Sequence, residues 1–95
     1  MSEYRIEIRD EVLSYLKAEF SEFDIQEEKD KESYCFRLTK KSDMHFVRVM
    51  YSATKNSDAN EIVPQLEQYA VASTMRSLGD FPVVVTEQGC MFGSP

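Results

Sequence analysis

Apolar residues recur at spacings of three and four through the opening of the chain: Ile8, Val12, Leu13, Leu16 and Phe20. That spacing places them on one stripe of an amphipathic helix, with Ser2 positioned to cap it. Tyr4, Ile6 and Ile8 also alternate as a strand would, and Asp10 could then cap a shorter helix. The longer helix keeps the stripe unbroken and is preferred here. The period then shortens to two. FDIQE (Phe23 to Glu27), SYCFRLTK and MHFVRVMY each read as strands, separated by the charged turn EKDKE and the turn Lys41-Ser42-Asp43. Pairing Thr39 with Met44 puts Tyr34, Phe36 and Leu38 on one face with Val47, Val49 and Tyr51. A slip of one residue would exchange faces. The chosen register gathers the β-branched and aromatic side chains on one side.

The stretch SATKNSDAN is polar and rich in capping residues. Pro64 fits the first turn of a second helix, where a missing N–H matters little, and Gly79 terminates it after Leu78. This helix carries two apolar stripes: Ile62, Leu66, Tyr69, Ala70 and Ser73 on one side, and Val71, Met75 and Leu78 on the other. A helix apolar on both sides packs against two things. Those are the sheet and the first helix, or the sheet and a partner chain. FPVVVTE is a continuous apolar run, which suits a strand covered on both faces or paired in parallel after a helical crossover. The end, QGCMFGSP, reads as irregular and mobile. The expected architecture is one α+β domain over residues 1–88 in the order α-β-β-β-α-β. Three antiparallel strands are extended by a fourth after a crossover helix, both helices pack on the sheet, and residues 89–95 form a flexible tail.

Composition narrows the chemistry. Ninety-five residues with 42% apolar content build one core, without enough material for a deep enclosed active site. No apolar run approaches the roughly 20 residues of a membrane span. The start MSEYRIEIRD carries charges where a signal peptide is apolar. Cys35 and Cys90 lie far apart, too few for a disulfide scaffold or a thiolate zinc site. A cytoplasmic protein with free thiols and no membrane association is expected. The net charge of -6 opposes broad nucleic-acid binding, which rests on phosphate neutralisation, and suits docking to a basic partner.

One stretch raises a sharper question. In QLEQYAVA (Gln65 to Ala72), Gln65 and Tyr69 stand four apart on the second helix, on one face. With the element order above, this resembles the minimal core of the restriction-endonuclease-like, or PD-(D/E)XK, nucleases, several branches of which carry a Gln-x-x-x-Tyr pattern on the helix after the third strand. The resemblance covers topology and about eight residues. It implies a magnesium site built from an acid on the second strand and Asp/Glu-x-Lys on the third. Here the second strand is YCFRLTK and the third MHFVRVMY; neither carries such acids, and Asp43 sits in the turn between them. The resemblance therefore implies a degenerate domain that touches nucleic acid without cutting it. Core packing alone also accounts for Tyr69.

The remaining constellations each admit a plain reading. His45 and Cys90 could pair as imidazole and thiol, but no oxyanion-hole signature accompanies them, and His45 beside Leu38 suits a structural role at the hairpin rim. Arg37, Lys40, Lys41, Arg48 and His45 make the hairpin locally basic: a phosphate-contacting patch, or a solvated face balanced by nearby carboxylates. With three glycines in the chain, none between strand and helix, there is no phosphate-cradling loop. The hairpin face opposite the aromatic one carries Cys35, Arg37, Met44, Phe46, Arg48 and Met50. Met, aromatic and Arg side chains are enriched at protein interfaces. Either a partner covers this face, or the tail with Met91 and Phe92 folds over it. The expectation is a small non-enzymatic, protein-binding or self-associating domain with no cofactor and no metal. Arg37, Met44, Phe46, Arg48 and Met50 form its candidate interface, and Val71, Met75 and Leu78 a second candidate surface.

Overall fold

The computed structural model describes residues 4–92. Helix α1 spans Ile6–Glu19 and is followed by three strands, β1 (Asp24–Glu28), β2 (Ser33–Lys40) and β3 (Asp43–Met50). A single turn, α2 (Tyr51–Thr54), leads to α3 (Ala59–Gln68) and α4 (Val71–Leu78). The hairpin of β4 (Val83–Thr86) and β5 (Gly89–Phe92) ends the described chain. The longer reading of the first helix holds, although Arg5 stands at its N-cap; the proposed Ser2 cap lies outside the described residues.

The five strands form one mixed sheet in the order β1-β2-β3-β4-β5. The first three are an antiparallel meander, β4 runs parallel to β3, and β5 is antiparallel to β4. Thr39 faces Met44 as the pattern predicts, so Tyr34, Phe36 and Leu38 share a face with Val47 and Val49. All five are buried against the helices, with Val83 and Val85 of β4 and Ile8, Val12 and Leu16 of α1. Tyr51 is buried too, from α2 instead of β3. Continuous apolar character in β4 follows from its inner place between β3 and β5.

Three expectations are corrected. The second helix is two helices. α3 begins at Ala59, capped by Asp58 and Glu61 in a reciprocal capping box, so Pro64 lies inside it and not in its first turn. The helix then breaks at Ala70, which adopts the left-handed conformation with φ 54° and ψ 44°. Val71 and Met75 are each only 1% exposed and Leu78 is half-buried; α4 packs on β3 and β4, so this strip offers no docking surface. Finally, Gly89–Phe92 is a strand, so the irregular tail predicted over residues 89–95 does not begin at residue 89.

Candidate functional site: the open face of the sheet

Alternation along each strand sends one set of side chains into the core and the other to the face without helices. Register fixes the second set: Gln26 and Glu28 on β1, Cys35 and Arg37 on β2, Met44, Phe46, Arg48 and Met50 on β3, Val84 on β4 and Met91 on β5. Glu28, Cys35, Arg48, Val84 and Met91 thus form one row across all five strands. The interface residues anticipated from the hairpin do share this face, and β4 and β5 extend it with Val84 and Met91. Met91 does not fold over the face; it belongs to it.

The face divides into two halves. Over β1 and β2 it is a lattice of polar contacts. Arg37 donates from Nη2 to Gln26 Oε1 at 2.8 Å and its Nε lies 3.3 Å from Glu28 Oε1. Arg48 leans the same way: Nη2 donates to Asp30 Oδ2 at 3.0 Å and Nε to Ser33 Oγ at 3.4 Å. The Ser33 hydroxyl, with help from Arg48 and the Glu32 N–H, holds the Asp30 carboxyl below the usual range. Over β3, β4 and β5 the face is apolar: Met44 and Met91 are 38% and 48% exposed, and Phe46, Met50 and Val84 are half-buried among neighbours on the same surface. Cys35 sits at the border, its thiol pushed up by burial and by the nearby Asp30 charge and so poorly suited to act as a nucleophile.

The basic residues of the hairpin are largely engaged. Besides Arg37 and Arg48, Lys40 is paired with Glu22. Lys41 has φ 54° at the first position of a two-residue hairpin turn, so turn geometry governs its backbone. Gln65 and Tyr69 do structural work. Gln65 donates to Ala53 O at 3.3 Å and accepts from Ser57 Oγ at 3.2 Å, tying the α2–α3 loop to α3. Tyr69 is half-buried and its ring lies beside Gly89 at the β4–β5 turn.

His45 and Cys90 are separate features. His45 is 8% exposed, between Phe20 and Phe23 at ring separations of 5.5 and 5.4 Å. Its Nδ1 lies 2.9 Å from Gly79 O, which fixes Nδ1 as the donor because a carbonyl only accepts. A shallow cavity of about 280 Å³, lined by Glu19, Glu22, Phe23 and Arg76, opens beside it. Cys90, its thiol pushed up by burial with Thr74 opposing the shift, is level with Val85 and Val49. Val49 stands four positions along β3 from His45, about 13 Å along the strand.

A larger cleft of about 690 Å³ lies at the β1–β2 turn, lined by Tyr4, Glu27, Asp30, Lys31, Ser33 and Tyr51 among others. Its carboxylates have partners in the chain: Glu27 accepts from Tyr4 Oη and Arg9, both at 3.0 Å, and Asp30 from Arg48 and Ser33. Among the described residues, no group of three or more His, Cys, Asp or Glu stands close enough to hold a metal ion, and no helix is long and apolar enough to cross a membrane.

No protein-family model matches the chain, and neither a curated protein nor a solved structure does. The surface feature that sequence reasoning missed is the contribution of β4 and β5. Val84 is hidden within an apolar run that gives no facing signal, and Met91 within a segment too short and glycine-flanked to read as a strand.

Proposed function

We propose that this chain is a small binding domain that engages an extended segment of a protein partner on the apolar half of its open sheet face, without chemical turnover. The observation that carries the reading is the division of that face. Met44, Phe46, Met50, Val84 and Met91 are gathered on β3, β4 and β5, while the charges of the sheet are drawn aside into pairs over β1 and β2. Contiguous exposed apolar surface rimmed by polar groups marks interaction sites, and methionines adapt to irregular partners. A nucleic-acid reading through Arg37, Lys40, Lys41 and Arg48 is weaker, since three of these four already hold carboxylates within the chain.

Selection from a displayed random-peptide library tests this. Peptides enriched on the wild-type chain should carry apolar residues at alternate positions. Phe46→Lys should weaken them by about tenfold or more, the scale of losing a central apolar contact, and Lys17→Glu on the helical side should leave them unchanged. Enrichment of nothing, or of peptides indifferent to Phe46→Lys, would end the proposal.

A further inference from the structure

The two edges of the sheet are built on opposite plans. β1 carries Asp24, Glu27 and Glu28 in five residues, with Glu27 and Glu28 held by Arg9 and Arg37. That is how monomeric sheets blunt an edge against further pairing. β5, the other edge, reads GCMF: no charge, no proline, no bulge. Among the described residues, no backbone hydrogen bond reaches it from any element but β4. Toward the described residues its outward N–H and C=O groups therefore form an open template for a strand. The apolar half of the open face also ends at this edge, with Met91 on its border. Charge thus falls away across the sheet from β1 to β5, and only the shortness of β5, four residues, limits pairing at this edge.

We infer that β5 pairs antiparallel with β5 of a second copy of this chain, joining two five-stranded sheets into one across a two-fold axis near Cys90 and Met91. This rests on the binding role proposed for the open face and supplies the assembly in which that face would act. A second copy fits the edge for two reasons. The chain is acidic, with a net charge of -6, so two copies repel over most of their surface; the uncharged β5 edge lets backbones meet without opposing like charges. The strand is also self-complementary. With the axis normal to the sheet, residues of equal parity face each other, and each copy keeps its helices on the same side. Met91 then meets its counterpart on the axis, and Val84 and Met91 of one copy continue into Met91 and Val84 of the other. The two apolar half-faces become one strip, flanked on both outer sides by the paired charges of β1 and β2. Dimerisation thus assembles the groove that an extended partner would occupy.

Sedimentation equilibrium of the wild-type chain, with Met91→Lys and Met44→Lys alongside, tests the pairing. The wild type should approach twice the 11.0 kDa chain mass with rising concentration. Met91→Lys sets like charges across the axis and should weaken association by about thirtyfold or more; Met44→Lys, on the same face at the far end of β3, should leave it intact. Should Met91→Lys fail to fold, amide exchange of the wild type decides: Gly89–Phe92 should exchange more slowly in concentrated than in dilute solution. A wild type that stays monomeric at its solubility limit overturns the self-pairing while leaving peptide binding by the open face to its own test. Dimers indifferent to Met91→Lys, or concentration-independent exchange in β5, overturn the assignment of the interface.

Discussion

Arg5 illustrates how single side chains hold this small domain together. Its guanidinium donates to the carbonyls of Thr54 at 2.7 Å and Ser57 at 2.9 Å, satisfying oxygens at the end of α2, while its own N–H donates to Tyr34 Oη at 2.9 Å. The start of α1 is thereby fixed to the loop before α3. Arg5→Ala should reduce stability by about 1.5–3 kcal/mol, the range for charge-assisted bonds, read as a lower urea midpoint. Lys41 is a smaller lever. Its positive φ in a two-residue hairpin turn suits glycine, so Lys41→Gly should raise stability by up to about 1 kcal/mol. Asp30 gives the pH dependence. Its carboxyl is held below the usual range, chiefly by the Ser33 hydroxyl. A depressed folded value stabilises above the unfolded value, near about 3.9, and that stability is lost as acidification takes the pH down through the folded value. Asp30→Asn should therefore lower stability at neutral pH, by under about 1 kcal/mol for this partly solvated pair. The difference from wild type should narrow steadily in melts taken at pH values progressively below the unfolded carboxylate value.

Among the elements, the pattern of the sequence was informative where secondary structure and burial share a period. β2 and β3 alternate cleanly, and the register Thr39–Met44 follows from keeping Tyr34, Phe36, Val47 and Val49 together. The break between α3 and α4 was not legible, because nothing local signals it: Ala70 is a poor choice for the left-handed conformation and no glycine or proline stands there. Its cause is tertiary. The Tyr15 hydroxyl of α1 accepts the Ala72 N–H at 3.0 Å, capping the start of α4 from another helix, where Ala70 has no side chain able to cap. Tyr15→Phe should then lower stability by about 1 kcal/mol, as the loss of a cap does, with amide exchange quickening first at the start of α4. The strand β5 escaped notice for a different reason. Four residues beside a glycine carry too little periodicity to register, and their pairing is decided by β4.

For the molecule as a whole, the contrast between its two faces carries the functional account. The helical side closes the core, and the buried apolar strip of α4 shows why a helix apolar on two sides need not meet a partner: β3 and β4 lie beneath it. The open side was half legible. The hairpin residues Met44, Phe46, Arg48 and Met50 stood out as a spare surface, but the pairing of Arg37 with Glu28 and of Arg48 with Asp30 depends on where the β1–β2 turn places its carboxylates. Sequence alone left those arginines open as a phosphate patch. The most direct test is an amide NMR titration of the wild-type chain with a peptide selected on it. Shifts should concentrate at Phe46, Arg48, Val84 and Met91 and spare the outer surface of α1 and the cavity beside His45. Perturbation centred on the helices or on that cavity, with the sheet unmoved, would contradict the account.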